Sequence, residues 1–239
     1  MQEIFKRTQM LIGKENIDKL ANSSILLFGV GGVGGYAAEM LARCSVGSIT
    51  LVDNDCVSKS NINRQIIATL DTVGRLKTEV MKERILSVNP KAQVDIYNCF
   101  FLPENSNEID FTKYDYIIDA VDTVTAKIEI ITKAQKESIP VISCMGTGNK
   151  LDPTRLKIDD IYKTSICPLA RIMRSQLRKR GVESLKVLYS TEQPIKPDSD
   201  EKTSSGKPVP GSVSFVPSVA GILIAREVII DIMNKPVIP

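Results

Sequence analysis

Ser24-Ile25-Leu26-Leu27-Phe28-Gly29-Val30-Gly31-Gly32-Val33-Gly34-Gly35 joins an unbroken apolar run to a glycine-rich turn, and Tyr36 to Arg43 then follows a helical pattern. The run from Ser24 to Val30 suits a strand buried on both faces of a parallel sheet. A strand feeding a glycine turn and a helix aims backbone N–H groups and a helix dipole at one point, which attracts an anion. Glycine is needed there because a side chain would hold phosphates away from the backbone. Asp53 stands 24 residues after Gly29, at the end of a second apolar run from Ser48 to Val52. A carboxylate in that place accepts hydrogen bonds from ribose hydroxyls. The pattern predicts a nucleotide site, and by itself it leaves a nicotinamide cofactor and ATP both open.

Outward from this stretch, strands and helices alternate. Lys77 to Val88 is amphipathic and stopped by Asn89-Pro90; Gln93 to Cys99 and Tyr114 to Ala120 read as strands; Lys127 to Ser138 reads as a helix and Ile139 to Cys144 as a strand. Such alternation implies right-handed crossovers and an α/β fold with a doubly wound, mostly parallel sheet. The last third differs: Pro168 to Arg180 reads as a basic helix and Lys186 to Ser190 as a short strand. Glu192 to Gly211 is rich in Pro, Ser, Lys and Asp, and is expected as a mobile crossover loop. Ser212 to Val216 and a helix from Val219 to Met233 close the chain, with core packing favoured for that helix and a dimer face as its other use. The whole reads as one domain over 1–239, with a nucleotide-binding core at 1–150 and a substrate-binding, loop and dimer-forming part at 151–239.

The 239 residues are 43% apolar, enough for a sizeable core, and carry a net charge of only +3. Histidine is absent, which removes the commonest general base and a common zinc ligand. Cys44, Cys56, Cys99, Cys144 and Cys167 are widely spaced with no C-x-x-C pair, so neither structural zinc nor a disulfide framework is expected. Reduced thiols and an N-terminus without a signal-peptide core point to the cytoplasm. The apolar stretch from Val213 to Met233 is interrupted by Pro217, Arg226, Glu227 and Asp231, so no membrane span is expected.

Arg64, within Ser60-Asn61-Ile62-Asn63-Arg64-Gln65, and Lys77, within Gly74-Arg75-Leu76-Lys77, favour the triphosphate. Phosphoryl and nucleotidyl transfer rest on positioning and on neutralising charge, tasks for an Arg fork and a Lys point charge. A hydride-transfer site has no use for the pair. Asp119-Ala120-Val121-Asp122-Thr123 ends the fourth strand, where the carboxyl ends of strands face the ligand crevice. Asp122 suits Mg²⁺, against the alternative of capping the helix that begins near Val124. Asp119 is either its partner or an orienter of the loop.

GxGGVG, VDxDxVxxSNxxRQ, GRLK and DAVD, in this order over nearly the whole chain, resemble the ubiquitin-activating-enzyme-like (ThiF, MoeB, HesA) superfamily of ATP-dependent adenylyltransferases. Lys163-Thr164 with Pro168-Leu169-Ala170, Tyr189-Ser190-Thr191-Glu192 and Gly211-Ser212-Val213-Ser214-Phe215-Val216-Pro217 look like its tRNA threonylcarbamoyladenosine dehydratase branch. The resemblance implies a Rossmann-like fold with Gly29, Gly31, Gly32, Gly34, Asp53, Asp55, Asn61, Arg64, Gln65, Lys77, Asp122 and Thr123 around ATP. It implies Mg²⁺ on Asp122, with a monovalent cation as a further candidate. Arg7, in Arg7-Thr8-Gln9-Met10-Leu11-Ile12-Gly13, matches an arginine that relatives insert into a partner subunit's ATP site, which implies a homodimer; an exposed helix position is the plain alternative. The activity implied is adenylation of the threonylcarbamoyl carboxylate followed by ring closure. Intramolecular attack needs no enzyme nucleophile, which agrees with a chain lacking histidine.

Relatives that activate sulfur carriers often hold zinc through two C-x-x-C pairs, absent here, and some use a cysteine in the region of Cys167. The dehydratase branch often has aspartate at that position, which leaves the role of Cys167 open, and a protein of a sulfur-transfer system stands as a further candidate partner. Between Lys163 and Lys186 seven cations face one acid, a net +6, leaving −3 for the rest. Lys163, Arg171, Arg174, Arg178, Lys179 and Arg180 are the candidate tRNA contacts, with Arg171, Arg174 and Arg178 on one helical face. The readings weighed against this one are adenylation of a carrier protein's C-terminal glycine, a nicotinamide-dependent oxidoreductase, and a tRNA-binding module without catalysis.

Overall fold

The computed structural model describes residues 3–199, 201–202, 206 and 209–235. Two short helices open it, α1 (Lys6–Ile12) and α2 (Lys14–Ala21), parted by Gly13 at φ +83°. Then follow β1 (Ser24–Phe28), α3 (Gly34–Arg43), β2 (Ser48–Val52), α4 (Lys77–Val88), β3 (Gln93–Tyr97), β4 (Tyr116–Asp119), α5 (Val124–Lys136) and β5 (Val141–Cys144). The last third supplies β6 (Leu156–Asp160), α6 (Pro168–Arg178), β7 (Lys186–Ser190) and α7 (Phe215–Asn234).

One seven-stranded sheet runs β3-β2-β1-β4-β5-β7-β6, parallel throughout except for the antiparallel β6–β7 pair. The chain reverses direction across the sheet between β1 and β4, and such a switch point opens a crevice at the carboxyl ends of the strands. Alternation along β1 divides the core. Ile25 and Leu27 pack with α3, α4 and α7, whereas Leu26 and Phe28 pack on the other face with Ile130 and Ala134 of α5. Phe28, Phe101 and Phe111 form an aromatic group on that second face, with ring centroids 4.7 to 5.9 Å apart.

The expected doubly wound α/β sheet is present, with differences of detail. The edge strand β6 was not legible because LKIDD alternates and is only half buried, as an antiparallel edge permits. α7 begins four residues before the expected Val219, since Pro217 falls in its first turn, where an N–H has no intrahelical acceptor to lose. Its buried side, from Val216 to Ile232, lies in the core with α3. No described residue of Glu192–Gly211, expected as a mobile crossover loop, belongs to a helix or ladder strand; positions 200, 203–205, 207 and 208 lie outside the described residues. No described helix is long and apolar enough to cross a membrane.

Asp119, weighed as a partner for magnesium, is instead fully buried. Its Oδ2 accepts from Lys127 Nζ at 2.9 Å and from Ser143 Oγ at 2.6 Å, tying β4 to α5 and β5. Removing one member of such a pair strands a charge in the core at a cost of roughly 3–5 kcal/mol. Lys127→Met is therefore expected to lose about that much in urea unfolding, and Lys127→Met with Asp119→Asn to regain part of it.

Candidate nucleotide site and the cavity beside it

A cavity of about 490 Å³ opens at the switch point. The turn after β1 builds its floor. Gly29 adopts φ +86°, and a methyl group there would stand 2.7 Å from the Ala120 carbonyl oxygen, so both conformation and space demand glycine. Gly31 borders the cavity with only Gln65 Nε2 within 4 Å of where a side chain would start, so its Cα leaves room for a ligand to approach the backbone. Gly32 also lines it, under Pro217. Gly34, expected beside the phosphates, does not line the cavity. A methyl group on it would sit 1.8 Å from the Gly29 carbonyl oxygen, so this glycine lets α3 close onto the turn.

Asp53 braces the same turn: its Oδ2 accepts from the Val30 N–H at 2.6 Å and its Oδ1 from the Asp55 N–H at 2.8 Å. It still borders the cavity, as Asp55 does. Lys77, the first residue of α4, is 6% exposed and donates from Nζ to Asp55 Oδ2 at 2.7 Å. Asp55 is well exposed, so the buried ammonium meets the cavity through a solvated carboxylate partner. Arg64 donates from Nη1 to Ser60 O at 2.8 Å and to Asn63 Oδ1 at 3.0 Å. Its Nε and Nη2 have no acceptor among the described residues, which leaves N–H donors for an incoming anion. Asn61 is buried and fixes this loop, its Oδ1 accepting from the Ser58 N–H at 3.1 Å. Gln65 Oε1 is buried and unpartnered among the described residues, and its Nε2 lies toward Gly31 on the cavity floor.

Asp122 and Thr123 close the cavity from the β4 side. Asp122 is exposed, and the capping alternative does not hold. The N-cap of α5 is Thr123, with no side-chain hydrogen bond to the helix, and Asp122 Oδ1 only accepts from Thr123 Oγ1 at 3.4 Å. Arg7 lies exposed on α1 and does not line the cavity of its own chain. An open floor and available cations together fit a nucleotide phosphate chain.

Residues without an assigned ligand role in the sequence motifs also contribute. Phe100 and Phe101 border the cavity just after β3, and Ser212 and Pro217 reach it from the far end of the chain. A second cavity, about 390 Å³, adjoins the first and shares residues including Val33, Arg64, Asp122, Thr147 and Ser212 with it. Cys144, Cys167 and Lys150 line only this second cavity. Asn149, held in the left-handed region at φ +60°, fastens the crossover segment beside it. Its N–H donates to Gly211 O, its Oδ1 accepts from the Gly211 N–H, and its carbonyl accepts from the Ile195 N–H.

The basic helix is less free than its sequence suggests. Arg174 turns inward and donates from Nη1 to both the carbonyl and the hydroxyl of Thr164. Arg178 stacks over Tyr162 at 5.2 Å, Arg180 donates to Gln176, and Lys186 is taken by Asp231 at 2.6 Å and Glu227 at 2.9 Å. Arg171 and Lys179 remain exposed without an acceptor among the described residues, and Lys163 is exposed with only a loose pair to Asp159 at 3.7 Å.

Fold and site together define a nucleotide-binding α/β protein arranged to handle phosphate esters. Residues 5–237 match the ThiF family, and the chain belongs to it. It is 42% identical over 240 residues to the tRNA threonylcarbamoyladenosine dehydratase of Bacillus subtilis (strain 168), covering 96% of this chain and 94% of that protein. It is 38% identical over 204 residues to the enzyme of the same name from Escherichia coli (strain K12), covering 82% and 76%. Among solved structures it is similar to E. coli TcdA, tRNA N6-threonylcarbamoyladenosine dehydratase. The complex of that enzyme with AMP gives a TM-score of 0.90 at 33% identity over 98% of this chain and 95% of that one; the complex with ATP gives 0.89.

All five cysteines are free, and burial pushes the Cys144 thiol up to about 12. At pH 8 its thiolate fraction is then roughly one in 10⁴. Brief iodoacetamide treatment of the native protein at that pH should alkylate the exposed Cys56 and leave Cys144 unmodified by peptide mass spectrometry.

Proposed function

We propose that this protein is an ATP-dependent dehydratase of threonylcarbamoyladenosine in tRNA, acting by adenylating the carboxylate of the modification. The observation that carries the reading is the meeting of the two cavities at Arg64 and Asp122, a nucleotide site opening directly into an acceptor site. A carboxylate oxygen in the second cavity attacks the α-phosphorus, the bond to the bridging oxygen breaks, and pyrophosphate leaves. The carbamoyl portion of the same group then attacks the acyl carbon and loses a proton. AMP departs with the former carboxylate oxygen, so the nucleoside has lost one water. Ring closure is intramolecular and draws on a high effective molarity.

Arg64 and Lys77 neutralise charge on the phosphates, and Lys77 exchanges Asp55 for a phosphate oxygen as the nucleotide enters. Gly31 and Gly32 admit the phosphates, Asp53 meets the ribose through its remaining lone pairs, and Asn61, Gln65 and Thr123 complete the lining. Asp122 supplies a carboxylate suited to Mg²⁺, whose chemistry there is charge neutralisation on the triphosphate. A monovalent cation and a sulfur-transfer partner rest on the family resemblance alone. The nucleotide-binding core is 1–150, whose last residues also line the second cavity, and 151–239 is the substrate-binding, loop and dimer-forming part. Arg171, Lys179 and Lys163 give the tRNA backbone its exposed cations, with Arg174 as a strut for that surface. The protein works in the cytoplasm, where free thiols persist.

Arg7 completes the site of a second copy, and the homodimer this requires is supported by Met10 and Leu11, which stand 74% and 87% exposed on the same short helix. Mixing Arg7→Ala protein with Lys77→Ala protein, each inactive alone, should restore about a quarter of wild-type turnover once subunits exchange, since half the dimers then hold one intact site. No recovery would rule out Arg7 acting across the dimer.

Incubation with ATP, Mg²⁺ and tRNA bearing threonylcarbamoyladenosine should yield a nucleoside lighter by one water, with AMP formed in step. Arg64→Ala or Lys77→Ala should lower that rate by roughly 10²–10³-fold. An unchanged nucleoside mass with well-folded protein rejects the reading.

A further inference from the structure

Lys150 is the one deeply buried lysine of the described residues without a carboxylate. It is 4% exposed, whereas the comparably buried Lys77 and Lys127 each hold an aspartate, Asp55 at 2.7 Å and Asp119 at 2.9 Å. Its Nζ donates a single long hydrogen bond, 3.3 Å to the Gly148 carbonyl, although an ammonium carries three N–H donors. Glu192 instead accepts from the backbone beside it, from the Leu151 N–H at 3.0 Å and the Asp152 N–H at 2.9 Å, and Asp122, which lines the same cavity, forms no ion pair with Lys150. A buried charge is costly unless it is paired, so this arrangement asks for an anion from outside the chain. The left-handed Asn149, pinned to Gly211 and Ile195, fixes the backbone immediately before Lys150, and Lys150 lines the second cavity.

We infer that Lys150 is the anion-holding residue of the acceptor cavity: it binds the carboxylate of the acyl substrate and remains against the same oxygen as the acyl group reacts. The inference deepens the proposed function and rests on it. In the first step the ammonium orients one carboxylate oxygen while the other attacks the α-phosphorus. In ring closure the acyl carbon becomes tetrahedral and its oxygen gains negative charge, which Lys150 stabilises before the C–O bond to AMP breaks. No oxidant, reductant or further reactant is needed.

The test compares wild type with Lys150→Met and Lys150→Arg, using ATP, Mg²⁺ and tRNA with and without the threonylcarbamoyl group. Lys150→Met should lower kcat/KM for the modified tRNA by roughly 10²–10³-fold. Its affinity for ATP should stay within about twofold, and its Tm should not fall, because the uncharged side chain relieves an unpaired buried charge. Its preference for modified over unmodified tRNA in binding should shrink, and Lys150→Arg should recover at least part of the lost rate. Near-wild-type kcat/KM in a folded Lys150→Met, or an equal loss of ATP affinity, overturns the inference while the proposed function stands. If Lys150→Met does not fold, Lys150→Gln is read by the same criteria. A wild-type enzyme that removes no water from the modified tRNA overturns both.

Discussion

The structure depends on a backbone contact at the switch point. The space a methyl group would occupy on Gly34 is filled by the carbonyl oxygen of Gly29, and the space beside Gly29 by the carbonyl of Ala120. Three segments, the end of β1, the start of α3 and the end of β4, therefore meet with no side chain between them. This closeness brings the N-terminus of α3, the loop after β2 and the loop after β4 around one cavity. Any side chain at Gly34 would lift the helix from the turn and disperse the groups that the cavity gathers.

Charges around that centre are arranged in two ways. Some are closed pairs that hold elements together, as Asp119 with Lys127, both fully buried, holds β4 to α5. Others are left open at the cavity: Arg64 keeps unused N–H donors, Asp122 keeps its carboxylate, and Lys77 shares an aspartate that faces water. A closed pair resists rearrangement because separating it strands a buried charge, whereas a pair with one solvated member can change partners at low cost. The same residue types thus serve the scaffold or the ligand according to burial.

Much of this was legible in the chain. The apolar run from Ser24, the glycine turn and Asp53 announced a parallel sheet with a nucleotide crevice, because these features rest on local chemistry and a fixed period. In the sequence Asp122 is the magnesium candidate, and Asp119, three residues before it, is either its partner or an orienter of the loop. Burial separated them: Asp119 points into the sheet toward α5 and β5, and Asp122 stands in the mouth of the cavity. The basic run from Lys163 to Lys186 read as one surface, yet Arg174 and Lys186 are drawn into contacts with Thr164, Glu227 and Asp231 that no local pattern announces.

By itself, the sequence determined the class of fold and the side of the sheet that takes a ligand. Those follow from residue spacing within single strand-turn-helix units. Only the tertiary structure decided that Ser212 and Pro217 join a cavity begun at Gly29, that a second cavity opens beside it, and that Lys150 is buried there without a partner. These depend on segments more than a hundred residues apart being folded together, and on the balance of burial and charge that exists only once they meet.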